Sequence, residues 1–590
     1  MPSSVLVRVV FGVLVLATFG AFIVAQRLKR SSPIVDQVYY PRYIGPKCGC
    51  EKARVRFFFA PRVAGHVTAQ IVDAAGDPVR TLVNGRELSR RRHHFTWNGR
   101  TDAGLIAPDG KYHLRVTLED QGRSVTLPQA ITLDTRPPHP RVLSVTPAVI
   151  VPGAPGKEGR ARIRFHGSAN PRPLVQVFRT DLPKPQLLAT FEIHRGRHTG
   201  TWDGLVNGRP APDGIYDVTV TTHDRAGNAG HSPRRLPPTA SEAVPHSGVS
   251  VRYLTVSGPL VPVRAGSPAT FSVGPLPRRL RWSLGPVGSG KPLARGGGRA
   301  PRLVVRVPRG THTGLYLLRV QAGGHRAAQP VAVQGPGRGR VLVVLPAMTW
   351  QGTNQVDDDG DGFANTLSSG NDVNAARAFA HGQPPAGLVD GVEPLLRLLD
   401  RERAPYEITT DLALAQRGGA GIAGHSGVLF AGSETWLTSK VDLALRSYVE
   451  QGGKVASFGT DAFRRLVRVE ANLLTGPTPP ERVNVFGEET ALTRIAEAPM
   501  VVNQPDTLGL FTGTDGLVGL FTQFEQSRTL VNGAQILSSA GRDPQHPSFV
   551  AYRLGKGTVV RVGSPAWSAD LAGNTELTDV TRRIWSLLSR

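Results

Sequence analysis

FTWNGRTDAGLIAPDGKYHLRV, residues 95–116, returns about 105 residues later as GTWDGLVNGRPAPDGIYDVTV, residues 200–220. A tryptophan, an Asn/Asp-Gly pair, a Pro-Asp-Gly turn and a tyrosine opening an alternating strand recur in the same order, which marks an internal repeat. In the turn, proline presets φ, aspartate bonds its own backbone and glycine takes the positive φ, so Tyr112 and Tyr216 each start a closing strand. Each copy opens on an alternating run, ARVRFFF (53–59) and ARIRFHG (161–167). Alternation with regular turns predicts antiparallel sandwiches, with Trp97 and Trp202 plugging their cores. Stacking on carbohydrate is the alternative role for the two tryptophans.

The pattern weakens and then changes further along. Residues 249–334 alternate in ATFSV, RLRWSL and RLVVRVP and end in TGLYLLRVQAGG, a closing Gly-x-Tyr strand without its tryptophan, so a third, diverged sandwich is expected there. GPGRGR (335–340) reads as a linker. From 340 onward strands alternate with helices: VLVVLP (341–346), a helix over 392–403, YEITT (406–410), GVLFAG (427–432), a helix over 439–453 and KVASFG (454–459). That order predicts an open α/β sheet with mostly parallel strands. A hairpin over 549–564, turning at Gly-Lys-Gly, and a helix over 574–588 complete it.

At 590 residues the chain exceeds one hydrophobic core, and 67 glycines, 48 prolines and 6% aromatics suit many short strands. Seventy Lys+Arg against 45 Asp+Glu leave +25, which favours anionic neighbours: an anionic cell-envelope polymer or a protein partner. Nucleic acid is disfavoured, because no zinc-finger spacing, RNA-binding aromatic signature or helix-turn-helix is found. The run VVFGVLVLATFGAFIVA (9–25), between Arg8 and RLKR (27–30), is expected to be a single-pass transmembrane signal anchor, cleavage being the alternative. Its flanking charges would keep the body in the cytoplasm, whereas the domain content places it outside, at the cell membrane. Cys48 and Cys50 exclude a disulfide framework and lack a second pair for zinc. A local disulfide, an intermolecular bridge or two idle thiols stay open. The expected division is 1–30 anchor, 31–52 linker, 53–137 and 138–245 sandwiches, 246–336 diverged sandwich and 337–590 α/β domain.

Asp73, Gly76, Val79, Arg80 and Leu82, followed by the Trp-[Asn/Asp]-Gly and Pro-Asp-Gly-x-Tyr pieces, resemble the Ig-like domain of the flagellar hook-capping protein over about 53–235. The second copy keeps Trp202, Asp203, Gly204, Pro212, Asp213, Gly214 and Tyr216 but has VFRTDLPKPQLLATF in place of the first part. The last 250 residues or so resemble the C-terminal domain of the N,N-dimethylformamidase large subunit, a relative of class I glutamine amidotransferases, through TWQGTN (349–354), AGSETW (431–436), YVEQGGKVASFG (448–459) and LGKGTVVRVGSPAWS (554–568). Amidotransferase-type sheets carry a Cys nucleophile after the strand matching KVASFG, with a His as its base. This chain has Ser457 there, and GSPAWS supplies no His. The dimethylformamidase resemblance implies iron held by Tyr and Glu, where this chain has Thr353, Thr435 and a single matching carboxylate, Glu434. The expectation is a binding domain without catalysis. The alternative is a hydrolase of amide or related C–N bonds using Ser457, with His546 or His425 as base and Glu434 orienting.

One motif belongs to neither resemblance. In TWQGTNQVDDDGDGFANTL (349–367), Asp357, Asp359 and Asp361 take positions 1, 3 and 5 of a calcium loop, Gly362 the turn, Phe363 a backbone carbonyl at 7 and Asn365 position 9. Ser368 replaces the bidentate glutamate at position 12, with Asp372 as a substitute further along. A calcium site at the end of a sheet strand is expected, against a solvated acidic turn.

Overall fold

Alternation turns Val55, Phe57 and Phe59 of the strand Val55–Pro61 inward, and each repeat closes around its tryptophan. A computed structural model describes residues 3–29, 33–276 and 278–590, with side chains in the first helix described over 7–23. Trp97 and Trp202 are 1% and 2% exposed and donate their indole N–H to the carbonyls of Arg100 and Leu205, at 2.9 and 3.1 Å. Tyr112 and Tyr216 meet them with ring centroids 5.2 Å apart in both copies. Each tyrosine hydroxyl donates to the carbonyl four residues earlier, Pro108 at 2.6 Å and Pro212 at 2.8 Å. Burial this complete leaves no ring face for carbohydrate. Tyr316 repeats the bond to His312 at 3.0 Å, so the third module keeps the closing strand without the tryptophan.

The chain is multidomain and mostly β, with successive hydrophobic clusters over 34–133, 142–251 and 254–333 and a larger one over most of 341–588. The first two modules each set a three-stranded sheet against a six-stranded one. In the third, eight strands form one continuous sheet whose buried side enclosed residues such as Phe271, Leu318 and Val333 share. The segment expected to be a linker instead adds strands Val35–Tyr39 and Tyr43–Ile44 to the first module, because Ile34, Tyr40 and Ile44 complete its core. The strand Gly248–Val251 likewise pairs with Gly214–His223 of the second module, past the expected boundary at 245.

A helix, Ser3–Lys29, occupies the apolar N-terminal run. Among the described residues no helix is long and apolar enough to cross a membrane, so the expected transmembrane anchor is not borne out. Cys48 and Cys50 form a local disulfide.

The last domain is a nine-stranded sheet in the order Tyr406–Thr410, Val341–Leu345, Gly427–Phe430, Lys454–Ser457, Gly557–Arg561, Phe549–Leu554, Gln535–Gly541, Glu489–Asn503 and Leu517–Thr529. The first five strands are parallel and the rest antiparallel. Val341–Leu345 is buried throughout, as a strand covered on both faces must be. The chain leaves Val341–Leu345 toward Tyr406–Thr410 and leaves Gly427–Phe430 toward Lys454–Ser457, in opposite directions along the sheet, which creates a switch point at the carboxyl ends of Val341–Leu345 and Gly427–Phe430.

Candidate functional site

Two carboxylates meet at that switch point. Asp411 follows its strand directly and Glu434 follows Gly427–Phe430 by a short loop, and both are 0% exposed. Asp411 accepts the amide N–H of Met348 at 3.0 Å and of Leu412 at 2.6 Å. Neither oxygen of Glu434 has a donor among the described residues. Burial pushes the Asp411 carboxyl up to about 7, and burial together with the Asp411 charge pushes Glu434 well above the carboxylate range. With burial and the neighbouring Asp411 charge both opposing ionisation, and no donor to either oxygen, Glu434 holds its proton. This is a sealed acid–carboxylate pair.

The same pocket does not fit iron. Thr353 donates its hydroxyl to the Thr349 carbonyl at 2.9 Å, and the Thr435 amide donates to the Thr349 hydroxyl at 3.0 Å, so neither position offers a phenolate and both are tied into the fold. Nor does the structure join a hydrolytic triad. Ser457 ends its strand 3% exposed, with its hydroxyl unpartnered. It stands beside Arg561, whose guanidinium bonds Glu488 at 2.6 Å and the Glu525 carbonyl at 2.8 Å in a buried ion cluster. His425 lies before Gly427–Phe430, at the amino end of the parallel strands, while Ser457 lies at the carboxyl end of its own. His546 sits on a turn and pairs with Asp543 at 2.7 Å. Among the described residues no hydrogen bond or ion pair joins Ser457, Glu434 and His546.

The acidic loop does form a cluster: Asp357, Asp359 and Asp361 each place a carboxylate oxygen within 4.8 Å of the others. Oxygens that close fit a cation with ~2.3–2.6 Å bonds. Asp357 accepts the amides of Gly360 at 2.6 Å and Gly362 at 3.0 Å, yet burial still pushes its carboxyl up to about 7; burial raises Asp361 too. The side-chain carbonyl of Asn365 accepts the Asp358 amide at 2.6 Å and its side-chain amide donates to Asp359 at 3.2 Å. Asp372 accepts the Gly476 amide at 2.9 Å. The loop does not directly follow the sheet strand: the helix Ala347–Gly352 intervenes.

What holds the loop is partly Arg377, 8% exposed, which donates to the carbonyls of Gln351, Asn354 and Asn365 and to Asp358 at 2.6 Å. The rest comes from the second sandwich. The Gly248 amide donates to Gly360 at 2.8 Å, the Thr180 hydroxyl to the Gly362 carbonyl at 2.5 Å and the Ser247 hydroxyl to the Asp361 carbonyl at 3.2 Å. Gly362, at φ 87°, lies so close that an added Cβ would stand 2.8 Å from the Cβ of Asp217. Asp217 is 1% exposed; one oxygen accepts from Ser247 at 2.6 Å and the other has no partner. Burial, reinforced by the charges of Asp361 and Asp357, pushes it up to about 7. Sequence reading missed this fourth carboxylate. Its signal was there, since Asp217 breaks the apolar strand GIYDVTV where the first copy has His113.

Residues 300–504 match the family described as "N,N-dimethylformamidase beta subunit-like, C-terminal", and 51–122 match "FlgD Ig-like domain". The chain is 42% identical over 59 residues to the "Basal-body rod modification protein FlgD" of Salmonella typhimurium, which is 10% of this chain and a quarter (25%) of that protein. Among solved structures, three N-terminal domains of the bacteriophage RB49 Highly Immunogenic Outer Capsid protein align with 51% of this chain and 98% of theirs, at 12% identity and TM-score 0.19. An I-band fragment of titin aligns with 51% and 99%, at 11% identity and TM-score 0.20.

Proposed function

We propose that this is a membrane-associated extracytoplasmic protein whose Ig-like modules present a dimethylformamidase-like domain that binds a cell-envelope ligand without catalysis. The observation that carries the reading is the sealing of the switch point: the acid–carboxylate pair is fully buried, and the Ser457 hydroxyl, 3% exposed, has no hydrogen-bond partner among the described residues. A nucleophile needs an adjacent base and a path for substrate. Membrane association is supported by the N-terminal helix, where Val7, Phe11, Leu14, Leu16, Phe19 and Phe22 are each 59% exposed or more and find no cover on the body. The Cys48–Cys50 bond suits an oxidising compartment outside the cytoplasm. Calcium is the proposed cation of Asp357, Asp359 and Asp361, with Asp217 adding charge from behind the loop.

The test is turnover of an amide and ester panel by the purified full chain in detergent. No turnover is expected from the unaltered chain or from Ser457→Ala. Turnover that disappears in Ser457→Ala or Glu434→Ala would establish the hydrolase instead.

A further inference from the structure

Between Glu242 and Asp357 the chain contains no aspartate or glutamate, and residues 249–334 carry twelve arginines and one lysine. About half of the formal +25 therefore belongs to the third module. Register decides where that charge goes. Arg281 stands opposite Gln321, Ser283 opposite both Arg295 and Arg319, and Gln321 opposite Arg326. Directly opposed residues share a face of the sheet, as do residues two apart on a strand. Arg279 joins the same face from beside Arg281, and it stands opposite Arg299. All six arginines are exposed, and among the described residues none has a carboxylate partner.

Like charges facing one another across strands destabilise a sheet. This module aligns them with no acid of its own, leaving a concentrated positive field. Four of them, Arg281, Arg295, Arg319 and Arg326, line a groove of about 690 Å³ that Gln383, Val389 and Glu393 of the α/β domain also line, Glu393 being paired with Arg397. Guanidinium forks fit oxyanions in paired hydrogen bonds, which a lysine ammonium does not. Strands ~4.8 Å apart set Arg295 and Arg319, two strands removed, roughly 10 Å from each other, so successive anionic groups of one chain can be held together. The groove is concave, so an extended polymer enters it and a flat bilayer does not.

We propose that this groove binds a linear phosphate-bearing polymer, which names the ligand class for the non-catalytic reading and rests on that reading. The probe is long-chain inorganic polyphosphate, titrated into the full chain at physiological ionic strength. The double variant Arg281→Gln/Arg319→Gln is expected to weaken binding at least about tenfold, while Arg195→Gln/Arg197→Gln, exposed on the second sandwich, leaves it unchanged. Should the first variant not fold, Arg295→Gln/Arg326→Gln tests the same face. Absence of binding by the unaltered chain, equal weakening by the control pair, or tighter binding to phosphatidylglycerol vesicles than to polyphosphate each overturns the proposal. Amide turnover, in contrast, would remove the non-catalytic reading while leaving polyphosphate binding measurable.

Discussion

Glu434 and Asp411 show how burial changes what a residue can do. As a motif, Glu434 invites a ligand or orienting role; enclosed against a second carboxyl, it holds a proton. Both groups have raised values in the folded state, so the fold retains protons that the unfolded chain releases. The pair's contribution to stability is full below about pH 4, where unfolded carboxyls are protonated, and is lost as pH rises toward about 7, the value for Asp411. Glu434→Gln leaves Asp411 beside a neutral side chain at every pH. The fall in melting temperature between pH 5 and pH 8 is therefore expected to shrink in this variant; an unchanged fall would show that the pair does not titrate there. Ser457 teaches the complementary lesson, since a hydroxyl at the end of the right strand stands beside the buried Arg561–Glu488 ion pair with no hydrogen-bond partner among the described residues.

Element by element, the strands that were legible are those whose apolar period or turn chemistry needed no distant partner. The hairpin Phe549–Leu554 and Gly557–Arg561 turns at Gly555 with φ 58°, as its Gly-Lys-Gly signal required, and Tyr406–Thr410 coincides with YEITT. Val35–Tyr39 was not legible, because its strand character comes from pairing with Val55–Pro61 rather than from its own pattern. The Trp-Tyr lock closes each of the first two modules. Trp202→Ala removes a buried ring and its hydrogen bond to Leu205, and is expected to cost the second module about 3–5 kcal/mol. Chemical denaturation followed by hydrogen exchange in each module measures it, with the first module expected to be unaffected because its cluster is separate.

Across the whole molecule, the acidic loop is a joint between the α/β domain and the second sandwich. A cation that neutralises Asp357, Asp359 and Asp361 also relieves the repulsion on Asp217, so calcium is expected to tighten the docking. Calorimetry should record calcium binding that Asp359→Ala abolishes. In the same samples calcium should slow exchange of the Gly248 amide, which donates to Gly360 across the joint. Binding without slower exchange would separate the cation site from the joint.

The sequence by itself determined the modules, the repeat, the open sheet and the spacing of the acidic loop, because each depends on local period, turn residues or composition. Only the tertiary structure decided that no hydrogen bond joins Ser457, Glu434 and His546, that Asp217 lies behind the loop and that six arginines share one face. Those facts depend on strand register and on which surfaces meet across more than a hundred residues of chain, and nothing in a local pattern encodes either.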